Sequence, residues 1–318
     1  MDIVLVVAGL AMLFAGGEGI LRGSVAIAER FQISTLLVSM VIVGFGTSAP
    51  ELMVSVTAAL GGTPDIAVGN VVGSNIANIL LILGVAALLK PIAASRRQIQ
   101  RDAFAVLLAS MLLVVFALNG GVDRNAGLGM VAILAAYLSF AYLTERNHRR
   151  SSEVFRERLE RDIGTHELSL QLALIFALAG LLLLAGGAYA LVEGATAIAA
   201  GLGVSHAIVG LTIVAIGTSL PELATAIVAG YRGHADVVIG NVVGSNLFNI
   251  LGILGVTAAI TPIPIAGRIA DIDVWIMLVV AVALSPVIWT RNKIGRLEGA
   301  VFLALYFVYI AWVYSVDI

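Results

Sequence analysis

The sequence predicts an all-α membrane protein of ten transmembrane helices, arranged as two inverted five-helix repeats. Three observations carry this reading. The 318 residues are 60% hydrophobic and 12% charged, with a mean hydropathy of +1.05; soluble domains do not have this composition, and polytopic membrane proteins do. Apolar runs long enough to cross a bilayer recur from one end of the chain to the other. A motif also returns at a fixed offset of 171 residues: Gly46-Thr-Ser-Ala-Pro-Glu51 reappears as Gly217-Thr-Ser-Leu-Pro-Glu222, and Gly69-Asn-Val-Val-Gly-Ser-Asn75 as Gly240-Asn-Val-Val-Gly-Ser-Asn246. Between 46 and 92 the two copies align without a gap, and 26 of 47 positions are identical.

The spans fall near 3–28, 35–60, 65–89, 99–118, 125–144, 169–200, 205–230, 236–260, 272–290 and 297–316, each long enough to cross the hydrocarbon core. Residues 3–15 follow Asp2 rather than a basic segment, so they read as the first span and not as a cleaved signal. The longest polar segment, 145–167, divides the spans five and five. This gives residues 1–144 as the first repeat, 145–167 as a connecting loop and 168–318 as the second repeat. If the loop is cytoplasmic, its side of the membrane holds 15 of the 18 lysines and arginines, whereas only Arg124 and Arg268 lie on the other side, with Arg22 near the inner end of the first span. The positive-inside rule then places both termini outside, in a multi-pass protein of the cytoplasmic membrane. The remaining repeat pairs are Gly23 with Gly194, Ser34 with Ser205 and Pro91 with Pro262. An odd number of spans per half inverts the second copy, and inverted repeats mark transporters with a site at the midplane.

Composition also excludes chemistry. There is no cysteine, hence no disulfide, thiolate metal site or redox motif. The four histidines (His148, His166, His206, His234) are scattered, and no histidine metal site is expected. The charges are segregated rather than pooled, so the net charge of −2 carries no message about nucleic acid, and no nucleic-acid partner is expected. The connecting loop has a short amphipathic stretch, Val154, Phe155, Leu159 and Ile163 between arginines, that suits either an anionic lipid surface or a solvated connector.

The first motif breaks a helix. Pro50 and Pro221 lack an N–H, so the carbonyls four residues back, on Gly46 and Gly217, lose their helical partner. Freed backbone at membrane depth is tolerated where protein or a watery cavity satisfies it, and a hard cation does the same. Glu51 and Glu222 stand just past the breaks, with no basic residue in these spans to pair with them. An ionisable residue at this depth costs about 2.5–3.5 kcal/mol or more, and the chain carries that cost twice in one motif. Ca²⁺ takes about six to eight oxygens; two glutamates, carbonyls near Thr47 and Thr218 and a few waters approach that number, and Na⁺ accepts the same ligand class. In the second motif Ser74 and Asn78 share a helix face, as do Ser245 and Asn249, with Asn70 and Asn241 a turn back. Gly69, Gly73, Gly240 and Gly244 suit close helix contact. Asp65 and Asp236 open their helices and suit the positive dipole end. Glu18 pairs with Arg22 four residues on, and Glu193 reaches interfacial water; Glu18, Glu193 and the two aspartates read as structural.

At these motifs the chain resembles the sodium/calcium exchanger family of the cation/calcium exchanger superfamily, and most closely its compact bacterial and archaeal members. The paired motifs look like that family's two α-repeats. The resemblance implies ten helices, outside termini and alternating access, with the first and sixth helices sliding against a fixed core. It implies that Glu51 and Glu222 bind the ion, with Thr47, Ser48, Thr218, Ser219, Ser74, Ser245 and Asn78 as further ligands. Where well-studied members carry an aspartate in the second repeat this sequence has Asn249, so the site holds two carboxylates instead of three. The large calcium-sensing domains of animal exchangers are absent.

The reading that follows is a secondary antiporter, functioning as a monomer in the bilayer, that expels Ca²⁺ by letting Na⁺ in. The transported ions bind as substrates and no cofactor is expected. H⁺/Ca²⁺ exchange is the nearest alternative, because protons neutralise two glutamates equally well; a cation channel is the alternative of another class. No enzymatic activity is expected, since no second ionisable group accompanies the glutamates at depth.

Overall fold

The computed structural model describes residues 2–31, 33–93, 96–146, 168–201, 217–291 and 293–317. Most of the connecting loop, its amphipathic stretch, Ser205, His148, His166, His206 and the first part of the 205–230 span lie outside the described residues.

The chain is almost wholly helical. Helix α1 is Asp2–Phe31; α2 (Thr35–Thr47) and α3 (Ala49–Leu60) form one apolar stretch bent by 45° at Ser48. Helix α4 is Pro64–Leu89, α5 Arg96–Leu118, α6 Arg124–Arg146, α7 Leu170–Gly201 and α8 Leu220–Arg232. Helix α9 is Ala235–Ile260, α10 Val274–Arg291 and α11 Arg296–Asp317. Among the described residues seven helices are long and apolar enough to cross a membrane, or eight with the bent α2–α3 pair. Helix α8, described from its break onward, and α10 make up the rest.

The packing follows from where the small residues stand. Helices α1 and α7 run antiparallel along a seam in which Gly9, Gly16 and Gly23 meet Gly187, Gly180 and Ala173. A Cβ on Gly9 would fall 2.7 Å from Leu191 N and one on Gly16 2.8 Å from Leu184 N, so only glycine permits this approach. Helices α4 and α9, which carry the second motif, are the most enclosed. The outer helices turn Ile3, Val7, Phe14, Leu178, Leu182, Phe307 and Val308 outward, as lipid-facing surfaces do.

The helix ends repeat at offset 171. Helices α3 and α8 both stop before a glycine with positive φ, Gly62 at 80° and Gly233 at 81°, a conformation that suits the C-terminal position of a helix and favours glycine. Asp65 and Asp236 lie in the first turns of α4 and α9, while Thr63 and His234 take the capping positions.

One departure from an all-α chain concerns the connectors. Strand β1 (Ile92–Ala93) pairs antiparallel with β4 (Lys293–Ile294), and β2 (Gly121–Val122) with β3 (Ile263–Pro264). Connectors that leave helices at the bundle ends have free backbone groups, and pairing across the molecule satisfies them. The two ladders sit at opposite ends of α5 and define the two faces of the protein. Near β1–β4 lie Lys90, Gly233 and Arg296, whose Nε donates to Leu88 O at 3.2 Å. Near β2–β3 lies Arg124, whose Nη2 donates to Ile260 O at 3.1 Å.

Two buried aspartates, again at offset 171, tie the peripheral helices together. Asp102 pairs with Arg101 and accepts the Tyr137 hydroxyl at 2.6 Å. Asp273 pairs with Arg268 at 3.4 Å and accepts the Tyr309 hydroxyl at 3.3 Å, and the Arg268 guanidinium lies 5.0 Å from the Trp312 ring centroid. Each charge is compensated within its cluster, as buried charges require.

Candidate ion-binding site

The site begins with the two helix breaks. Ser48 and Ser219 leave helical geometry in the same way, with φ/ψ of −84/9° and −89/6°, and each is followed by proline and glutamate inside the first turn of the next helix. The carboxylates therefore sit at the positive ends of α3 and α8, where the helix dipole favours an anion. Glu51 and Glu222 are 1% and 2% exposed.

The two motifs interlock across the repeat. The Ser48 hydroxyl donates to Glu222 Oε1 at 2.9 Å, and the Ser219 hydroxyl lies within hydrogen-bonding reach of Glu51. Thr47 donates to Val43 O at 2.9 Å and lies 3.3 Å from Asn241 Oδ1. The Ser245 hydroxyl donates to Gly44 O at 3.1 Å. Close approach makes this contact possible: a Cβ on Gly44 would fall 2.8 Å from Ser245 N, and one on Gly240 2.6 Å from Leu36 O. The packing expected of the glycine pair is thus present for Gly240 and Gly244. For Gly69 and Gly73, the repeat-related partner segment lies outside the described residues.

Asn78 and Asn249 both fall in a π-helical stretch, Asn78–Ile82 in α4 and Phe248–Leu254 in α9. A π turn inserts an extra residue and re-aims the side chains around it; such turns recur at functional sites. Asn78 Nδ2 donates to Asn246 Oδ1 at 3.0 Å. Among the described residues, four buried oxygens at the predicted positions have no hydrogen-bond partner: Glu51 Oε2, Glu222 Oε2, Asn78 Oδ1 and Asn249 Oδ1. Buried acceptors are normally satisfied. Carboxylate and amide oxygens with no donor among the described residues are of the ligand type that a hard metal ion takes.

Of the ten predicted residues, Thr47, Ser48, Glu51, Ser74, Asn78, Ser219, Glu222, Ser245 and Asn249 are buried. Thr218 is half-buried beside them. Asn70 and Asn241, which the sequence places a turn back from the serines, bond through their amide nitrogens to the first motif. Asn241 Nδ2 donates to the main-chain carbonyl of Glu222 at 3.0 Å, and Asn70 Nδ2 donates to that of Glu51 at 3.3 Å and to Ser55 Oγ at 3.0 Å. They hold the glutamate-bearing turns in place. Sequence reasoning also passed over Asp102 and Asp273, although the 171-residue offset that found the glutamates relates them too.

A dense helical bundle, lipid-facing outside and acidic at two broken helices within, defines the class: a polytopic membrane transport protein. The family model described as sodium/calcium exchanger protein matches residues 1–143 and 172–315, and the chain belongs to that family. It is similar to CaxA of Alkalimonas amylolytica, whose name assigns it provisionally as an antiporter, with 36% identity over 96% of each chain. The sodium/calcium exchanger MaX1 of Methanosarcina acetivorans is 30% identical over 97% of each chain. Among solved structures, the sodium-calcium exchanger NCX_Mj without Na⁺ and Ca²⁺ superposes with a TM-score of 0.84 at 30% identity, covering 98% of both chains.

Proposed function

We propose that the protein is a secondary antiporter that exchanges Ca²⁺ for Na⁺ across the cytoplasmic membrane by alternating access. Sodium influx drives calcium efflux. The observation that carries this is the pair Glu51 and Glu222, buried at two matching helix breaks, each with one carboxylate oxygen lacking a partner among the described residues. Support comes from the names of MaX1 and NCX_Mj, both sodium/calcium exchangers. The architecture in this reading is ten spans in two inverted repeats, 1–144 and 168–318, acting as a monomer. Both termini lie outside and the 145–167 loop is cytoplasmic; the gathering of Lys90, Arg232, Lys293 and Arg296 at one face and of Arg124 at the other supports that orientation.

The chemistry follows from charge. Glu51 and Glu222 supply the anionic ligands, and Thr47, Ser48, Ser74, Asn78, Thr218, Ser219, Ser245 and Asn249 supply neutral oxygens. Ca²⁺ neutralises the carboxylates, and so do monovalent ions. A neutral site crosses an apolar barrier, whereas the empty, doubly charged site does not. Exchange is enforced because only occupied forms move.

With Asn249 in place of a third carboxylate, two protons neutralise the site as fully as two Na⁺, and this favours H⁺/Ca²⁺ exchange as the second reading. The test is ⁴⁵Ca²⁺ uptake into proteoliposomes under an imposed Na⁺, H⁺ or K⁺ gradient, each alone. Uptake driven by Na⁺ alone supports the first reading, and uptake driven by H⁺ alone the second. A high-conductance current without saturable counter-flow would make the protein a channel.

A further inference from the structure

We propose that Glu18, Arg22 and Arg232 form an ionic latch that closes one face of the protein and favours the conformation described here. Glu18 Oε1 accepts from Arg22 Nε at 2.9 Å and Nη2 at 2.7 Å, and from Arg232 Nη2 at 3.0 Å; Glu18 Oε2 accepts from Arg232 Nε at 3.1 Å. One carboxylate thus binds two guanidinium groups, and Arg232 grips it bidentately, the geometry in which arginine holds a carboxylate best. Glu18 is on α1. Arg232 is the last residue of α8, the helix that opens on Pro221 and Glu222. The latch therefore fastens α1 to the far end of a helix that carries one of the two site glutamates.

Under the latch, α1 lies directly on α8. A Cβ on Gly17 would fall 2.9 Å from Val228 Cγ2 and 3.3 Å from Ala224 O, and Val228 is 4% exposed. The 171-residue offset carries Glu18 to Tyr189, Arg22 to Glu193, Arg232 to Gly61, Val228 to Thr57 and Ala224 to Met53. Met53, Thr57, Gly61 and Tyr189 are all exposed. The pair α1–α8 is covered, whereas the repeat-related pair α7–α3 leaves the equivalent positions uncovered, so the structure is an asymmetric state. In a transporter built from inverted repeats, the opposite state is reached when one repeat or bundle rocks against the other around the site. If the halves exchange arrangements, α1 leaves α8 and Glu18 separates from Arg232. The equivalent positions, Tyr189 and Gly61, cannot form an ion pair. The latch acts on one side of the equilibrium only.

This inference rests on the alternating-access reading. The chain has no cysteine, so single cysteines report accessibility cleanly. In nanodiscs, where both faces meet solvent, maleimide labelling of Val228→Cys should be about two- to five-fold faster when Glu18→Gln or Arg232→Gln is added, as expected for losing a surface ion pair. Labelling of Met53→Cys should slow in the same variants. The charge swap Glu18→Arg with Arg232→Glu should return both rates towards the parent. Unchanged rates at both reporters, or a swap no better than the single changes, overturn the latch. Ca²⁺ counter-flow measured on the same proteins separates the two levels: counter-flow with unchanged labelling removes the latch alone, whereas absence of counter-flow in the parent removes the transport reading beneath it.

Discussion

Asn241 donates an amide proton to the main-chain carbonyl of Glu222 at 3.0 Å, and Asn70 repeats the bond on Glu51 at 3.3 Å. Each asparagine comes from the helix that follows the glutamate and pins the turn on which the carboxylate stands. Asn241 is fully buried, so its loss leaves an interior acceptor short of a donor. Asn241→Ala should destabilise the folded protein by about 1–3 kcal/mol, read as a lower thermal midpoint in detergent. An unchanged midpoint would remove Asn241 as a support of the site.

Glu51→Gln and Glu222→Gln keep the side-chain size and remove the charge that offsets dehydration of a divalent ion. Each should abolish Ca²⁺ transport in proteoliposomes while expression and gel-filtration behaviour match the parent. Near wild-type exchange by either variant would rule out a site of two glutamates.

Ser48 is bound to Glu222 from the other repeat at 2.9 Å, and hydrogen bonds to charged groups contribute about 1.5–3 kcal/mol. Ser48→Ala should weaken the apparent Ca²⁺ affinity about ten-fold or more, measured from initial rates against Ca²⁺ concentration. A variant with parental half-saturation would show that the hydroxyl does not orient the carboxylate.

A protonated aspartate and an asparagine present the same carbonyl oxygen. Asn249→Asp should therefore keep Ca²⁺ exchange working near neutral pH and add a pH dependence as the new group titrates. Initial rates against Na⁺ at several pH values check this in both proteins. A changed Na⁺ Hill coefficient with no new pH dependence would contradict the expectation.

Orientation rests on the basic residues. A cysteine placed at Ser315 should react with an impermeant reagent from outside the cell, and one at Ser152 should not. The reverse pattern would invert the protein in the membrane.

The parts of the site that could be read from the sequence were those the chain states twice. Glu51 and Glu222 were visible because their motifs repeat and because no basic residue lies near them in the spans. Glu18 and Arg22 were visible because four residues bring them together on one helix; Arg232 was not, because its approach depends on how α1 packs on α8, and no local pattern encodes that. The two ladders escaped because two residues per strand are too few for an alternation to show. The π turns at Asn78 and Asn249 left no mark in composition or periodicity. The sequence places Asn70 and Asn241 only on a helix face with Ser74 and Ser245; the bonds of their amides to the glutamate-bearing turns depend on the neighbouring helix.

The glycine seam between α1 and α7 bears on ancestry. Gly9, Gly16 and Gly23 correspond through the 171-residue offset to Gly180, Gly187 and Gly194; in the seam Gly9 faces Gly187 and Gly16 faces Gly180, while Gly23 meets Ala173 and Gly194 meets Asp2, in antiparallel order. The interface is isologous in the sense used for two-fold dimers, each half offering the other the same surface. A half-length chain carrying these glycines could dock with an upside-down copy of itself before any linker joined them. In the inverted-repeat reading, joining two such copies in one chain leaves each free to differ, as Glu18 and Arg22 differ from Tyr189 and Glu193.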